Sequence, residues 1–139
     1  MNPLDLTETL RLHALYLTGD AAGRRAYLFS ADLSGADLSG ANLSYANLHR
    51  ANLADADLSG ATLSNANLHR ANLADADLSG ANLHRANLSY AGPYRANLHR
   101  ANLSYAYLSG AVLTEADLSG AALTEADLFS ADLSGAVLS

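Results

Sequence analysis

From Ala26 onward the apolar positions recur every five residues. Each unit reads Ala, then usually Asp or Asn, then Leu, then two variable residues. There are 23 such units, the last cut short at Ser139. Ala opens all 23 and Leu is central in 22, with Pro93 the exception. Five matches neither the period of a helix nor that of a strand, so every unit must contain a bend. Within Ala36-Asp37-Leu38 the order apolar, polar, apolar puts Ala36 and Leu38 on one side of an extended backbone and Asp37 on the other. Ser39 and Gly40 are turn residues, and Gly40 suits the third position of a type II turn, where φ is positive. The pattern predicts a three-residue strand and a corner, repeated, with the Ala and Leu side chains inside a coil.

The sequence also supplies the number of sides. The stretch from Ala46 to Ala61 recurs unchanged at Ala66 to Ala81, and ADLSG recurs at Ala36, Ala56, Ala76 and Ala116. All fall on a twenty-residue grid, which is four units and hence four sides. Duplication or engineering of the array would leave the same identical block.

The A-(D/N)-L-x-x array resembles the pentapeptide repeat family over residues 26–139. The resemblance implies an all-β fold, a right-handed quadrilateral parallel β-helix with four repeats per coil and nearly six coils. In such a coil the central Leu and preceding Ala face inward, as Leu38, Leu58, Leu78, Leu98 and Leu118 would along one side. The other three positions face solvent. Each buried Leu contributes roughly 1.5–3 kcal/mol, and coils stacked about 4.8 Å apart give a column about 27 Å tall.

Residues 1–25 precede the array. Leu6, Leu10, Ala14 and Leu17 fall on one helical face, with Asp5 or Thr7 as N-cap and Gly19 as the stop. This predicts a short helix over residues 5–18 that caps the first coil, with residues 21–25 as the transition. At the other end the repeat runs to Ser139 without a comparable cover. That end is expected to fray or to pair with a second copy, giving an end-to-end homodimer.

Pro93 stands where Leu is expected and Gly92 precedes it. Proline cannot donate to a ladder, so a local bulge is expected there. The alternative is a kink that forms a binding notch, with Tyr90, Tyr94, Tyr105 and Tyr107 nearby.

Outward residues one coil apart form columns. One contains Asp37, Asp57, Asp77, Asn97 and Asp117, with Asp55 and Asp75 on the adjoining corner; it reads as a solvated surface or as an anionic strip for a basic partner. A second, Asn47, Asn67 and Asn87, is expected to form an amide ladder. A third stacks His49-Arg50 over His69-Arg70. Only two histidines align there beside arginines, so a solvated basic corner is expected rather than zinc.

Composition narrows the chemistry. There is no cysteine, which excludes disulfides and Cys-ligated metal. No apolar run is long enough for a transmembrane helix, and no membrane association is expected. The N-terminal residues lack a signal-peptide charge pattern, so a cytoplasmic protein is expected. The formal charge of −6 argues against direct nucleic-acid binding. No phosphate loop precedes a helix, no Ser, His and Asp are arranged for nucleophile activation, and smooth faces offer no evident pocket. Neither enzymatic activity nor a cofactor or metal is expected.

These features point to a non-catalytic structural or protein-interaction scaffold whose partner the sequence does not name. The resemblance brings one alternative, a mimic of duplex DNA that binds DNA gyrase and modulates resistance to its inhibitors. Duplex DNA carries about one charge per 1.7 Å, so a rod of about 27 Å would need about 16. The chain falls short of that overall, yet Glu115, Asp117, Glu125, Asp127 and Asp132 crowd into residues 101–139 with no Lys or Arg. The units are centred on Leu, whereas a Phe-centred pattern is common in gyrase-protecting members of the family.

Overall fold

A unit with Asp or Asn in second place and a coil on either side disposes of its backbone N–H groups in a fixed way. In the unit from Ala46 to Arg50, the Ala46 N–H closes the preceding turn on the Leu43 carbonyl at 3.0 Å. The Asn47 N–H reaches the Ala26 carbonyl one coil earlier at 2.9 Å. Leu48 and Arg50 donate to Asn67 and His69 one coil later, at 2.8 and 3.0 Å. The remaining amide, that of His49, donates to the side-chain Oδ1 of Asn47 at 3.1 Å. All five amides are satisfied, as burial of a backbone requires. The second position therefore does more than face water: its Asp or Asn oxygen takes the one amide that ladder and turn leave over.

The computed structural model describes residues 3–139. Parallel bridges join second-position residues to those twenty residues on, from Tyr27↔Asn47 to Asp117↔Val137, with the bridge from Gly92 to Val112 missing beside Pro93. Twenty residues contain four corners, so the chain winds as a four-sided coil. The contacts are single-residue bridges rather than continuous strands, because a corner interrupts the extended run after every third residue. The first side carries the Tyr27, Asn47, Asn67, Asn87, Tyr107 and Asp127 column. The second, third and fourth sides follow in chain order from Asp32, Asp37 and Asn42, and each side ends in the corner of the same number.

The corners have the expected geometry. Gly40 has φ 64°, and the Ala41 N–H bonds the Leu38 carbonyl at 3.0 Å. The same positive φ is imposed on residues that pay for it sterically, among them Tyr45, Arg50, Arg70, Glu115 and Glu125.

The interior is a column of Leu and Ala. Leu38, Leu58, Leu78, Leu98 and Leu118 are all buried, as are the equivalent leucines of the other sides down to Leu113. In the final layer Leu123, Leu128 and Leu133 are only partly buried, and Leu138 is 60% exposed.

Helix α1 spans Pro3–Leu17, starting earlier than the sequence pattern predicts. Proline suits the first turn, where its missing N–H costs nothing. Asp5 therefore lies inside the first turn, and neither Asp5 nor Thr7 is the N-cap. Gly19 ends the helix with φ 78°: its N–H bonds the Tyr16 carbonyl at 3.1 Å, and the Asp20 N–H bonds the Leu15 carbonyl at 3.0 Å. Leu6 and Leu10 pack against the core, but Ala14 is exposed and His13 is buried in its place. The transition then passes so close to the helix that a Cβ at Gly23 would collide with the Tyr16 backbone. The first two residues of the 1–25 segment lie outside the described residues.

Pro93 makes no bulge. It is buried in the central-leucine position, and Gly92 keeps its bridge to Asn72 and donates to the Ala71 carbonyl at 2.9 Å. The register continues through the Arg95 N–H, which reaches the Thr114 carbonyl at 3.0 Å. The local cost is the bond that a leucine amide would make to the Val112 carbonyl. The neighbouring bond from Leu73 to Gly92 is stretched to 3.1 Å, against 2.7 Å for Leu53 to Asn72.

Candidate interaction surface

The outward residues divide by side. Asp37, Asp57, Asp77, Asn97 and Asp117 stand in one bridged column on the third side. Each aspartate caps the turn that follows it. The amides of Ser39, Ser59, Ser79 and Ser119 donate to Asp37, Asp57, Asp77 and Asp117 at 3.1, 2.9, 2.9 and 2.8 Å. The Ser39 hydroxyl and then its N–H hold the Asp37 carboxyl below the usual carboxylate range, and Ser119 does the same for Asp117. Asn97 relieves the column by donating to Asp77 at 3.1 Å. Asp55 and Asp75 occupy the second corner, where Asp75 pairs with Arg95 at 3.2 Å.

The tyrosines do not gather around Pro93. Tyr94 lies on the second corner, with the Arg95 guanidinium 5.8 Å from its ring centre. Tyr90, Tyr105 and Tyr107 belong to the first side and its bordering corners, opposite the aspartate column. Together with Tyr27, Phe29 and Tyr45 they concentrate the exposed aromatic surface there. An open groove of about 440 Å³ lies between Arg85, Tyr105, Tyr107, Glu125 and Asp127. A second groove runs between Leu6 and Thr7 of α1 and the turn from Asp32 to Asp37. The faces are therefore less smooth than the repeat suggests.

The amide ladder falls on a different column. Asn47, Asn67 and Asn87 turn their oxygens to the amides of His49, His69 and Ser89 at 3.1, 3.1 and 3.0 Å. The ladder runs instead on the second side, where Asn72 donates to Asn52 at 2.9 Å and Asn52 to Asp32 at 3.1 Å.

Those histidines are stacked, with ring centres 5.1 Å apart and planes 2° from parallel, and Phe29 continues the stack at 5.3 Å. Burial, then the charges of His49, Arg70 and Arg50, push the His69 pKa below its ordinary value. Among the described residues no group of three or more His, Asp or Glu gathers as metal ligands. One contact escaped the sequence pattern: His99 Nδ1 and Ser119 Oγ are 2.7 Å apart, beside Asp117. The carboxylate engages the serine rather than the imidazole, so the contact that orients the base in a hydrolytic triad is missing.

A family model described as pentapeptide repeats matches residues 24–60, 51–89 and 94–128. The chain belongs to the pentapeptide repeat family. Among solved structures, this pentapeptide repeat protein is similar to Rfr23 from the cyanobacterium Cyanothece 51142. The TM-score is 0.83 at 27% identity, over 96% of this chain and 99% of that one. A pentapeptide repeat protein of the Arabidopsis thaliana thylakoid lumen matches at 38% identity with a TM-score of 0.56, over 63% and 64% of the two chains. HetL, a pentapeptide repeat protein involved in heterocyst differentiation regulation from Nostoc sp. strain PCC 7120, matches at 33% identity with a TM-score of 0.48, over 83% and 75%. No curated protein matches the chain by sequence. Among the described residues no helix is long and apolar enough to cross a membrane.

Proposed function

We propose that this pentapeptide repeat protein is a non-catalytic scaffold that binds a protein partner through its outward side chains. The observation that carries the reading is the sorting of outward chemistry: aspartates on the third side, aromatic and basic residues on the first. The leucines are committed to the core and the amides to ladder and turns, so what remains for recognition is a flat grid of side chains one coil apart. The reading takes the coil as right-handed, in keeping with the family, and the chain as cytoplasmic.

Affinity capture from the native host, followed by reconstitution with the purified captured protein, tests this. A saturable complex is expected, competed by free chain; the absence of any reconstituted complex would overturn it. The reading also includes pairing of two copies end to end through the partly covered leucine layer at residues 121–138. Sedimentation at rising concentration should show a dimer, and a monomer throughout would remove that element.

A second reading, mimicry of duplex DNA toward DNA gyrase, draws on the column of Asp37, Asp57, Asp77 and Asp117, whose carboxyls stand one above another on the third side apart from Asn97. A supercoiling assay with and without a gyrase inhibitor decides it, and no effect at micromolar protein would remove it.

A further inference from the structure

The first side and its two bordering corners gather cations that form no ion pair among the described residues. Arg25, Arg50, Arg70 and Arg85 are exposed there, and no Asp or Glu occurs on this face between residues 25 and 110. Among the described residues the ion pairs are Glu8–Arg11 and Asp75–Arg95, so these four guanidiniums have no carboxylate partner. His49, His69 and His84 are half-buried beside them.

The face is also pre-shaped. Arg70 lies 6.0 Å over the ring of Tyr90, and Arg85 lies 5.7 Å over that of Tyr105. Stacking on a ring restrains a guanidinium's plane while its N–H edge stays able to bond. The Phe29–His49–His69 stack forms a flat wall along the same corner. Exposed Tyr and Arg together are the composition of interface anchors.

We propose that this face docks an acidic, extended segment of a protein partner. The proposal rests on the scaffold reading and adds to it the partner's chemistry. Charge complementarity selects carboxylates. The cations span three coils, about 14 Å, which is the length of about four extended residues. A long polyanion such as nucleic acid is disfavoured by the net charge of −6 and by Glu125 and Asp127, which close the lower end of the face.

The test titrates the isotope-labelled full chain with a synthetic peptide of alternating Glu and Ser, followed by amide shifts in NMR. Shifts should map to Arg50, Arg70, Arg85 and their neighbours. The R50Q/R70Q/R85Q variant should lose at least about tenfold in affinity, while R100Q, on the third corner, should bind as the parent does. Thermal melts establish that both variants fold. Shifts on another face, none at all, or undiminished binding by the triple variant would overturn the proposal. So would a single-stranded oligonucleotide of equal charge that binds this face more tightly than the peptide. If the triple variant still holds the reconstituted partner, the scaffold reading stands and this face is wrong. If the parent chain holds no partner, the scaffold reading itself fails.

Discussion

The Nδ1 atom of His13 accepts a hydrogen bond from the Ala26 amide at 3.1 Å, joining helix α1 to the first five-residue unit. Ala26 has no earlier coil to turn from, so the imidazole stands in for the carbonyl that the equivalent amide uses further down. Accepting at Nδ1 requires an unprotonated nitrogen there. Burial is the main cause that lowers the His13 pKa from 6.5; the nearby Arg25 charge adds to it and the Ser44 backbone opposes it. Nε2 has no hydrogen-bond partner among the described residues.

The docking of α1 should therefore weaken in mild acid. The folded state prefers the neutral ring, so the unfolded chain binds more protons between the two pKa values and stability rises with pH there. The contribution is complete above 6.5 and is lost as pH falls through the lowered folded value. Hydrogen exchange at the Ala26 amide, compared at pH 7.5 and 5.5 after correction for intrinsic rates, should show reduced protection at the lower pH. His13→Gln, which keeps an acceptor, should remove the dependence; equal protection of the parent chain at both pH values would contradict the assignment. His69 also titrates low but lies on the first corner, away from the Ala26 amide.

Pro93 is a fault in an otherwise uniform interior. Pro93→Leu would return an N–H to the Val112 carbonyl and fill the inner position between Leu73 and Leu113. We expect stability to rise by about 1–3 kcal/mol in urea unfolding. A loss would mean that the surroundings have closed around the smaller ring.

The turn cap makes a paired prediction. Asn82 accepts the His84 amide at 3.1 Å, whereas Thr62, one coil earlier in the same column, has no such carboxamide. Asn82→Ala should cost about 1 kcal/mol and Thr62→Asn should gain a similar amount. Equal stabilities of both variants and the parent, by thermal or urea midpoint, would show that the cap contributes nothing.

Corner strain can be read at Glu115, where φ is 59°. Glu115→Gly and Glu115→Val remove the same charge and differ in their tolerance of positive φ. The glycine variant should be the more stable by about 1–2 kcal/mol, and a reversed order would contradict the corner geometry.

Much of this fold was legible because repetition amplifies weak local signals. Leu48 alone says little, but Leu at 22 central positions and Gly40 at a turn give the inward face, the corner and its φ. What the pattern missed lies where one residue answers a local geometric problem. His13 replaces Ala14 on the buried face because a ring nitrogen was needed opposite Ala26. The amide ladder runs through Asn52 and Asn72 rather than Asn67, although the three occupy the same position of the repeat. Proline's missing donor predicts a bulge at Pro93, yet one missing bond is cheaper than shifting the register of the coils below it. For the candidate surface, the sequence supplied the columns but not the separation of tyrosines from aspartates, which needs the four-sided winding to be seen.

The four-sided coil rests on the pairing of residues twenty positions apart. Nuclear Overhauser contacts between backbone amides test it most directly. Bridges twenty residues apart place the Leu53 amide beside Asn72 and the Leu98 amide beside Asp117, so amide contacts at a constant offset of nineteen are expected throughout residues 26–137. Contacts at any other offset, or an offset that changes across Pro93, would contradict it.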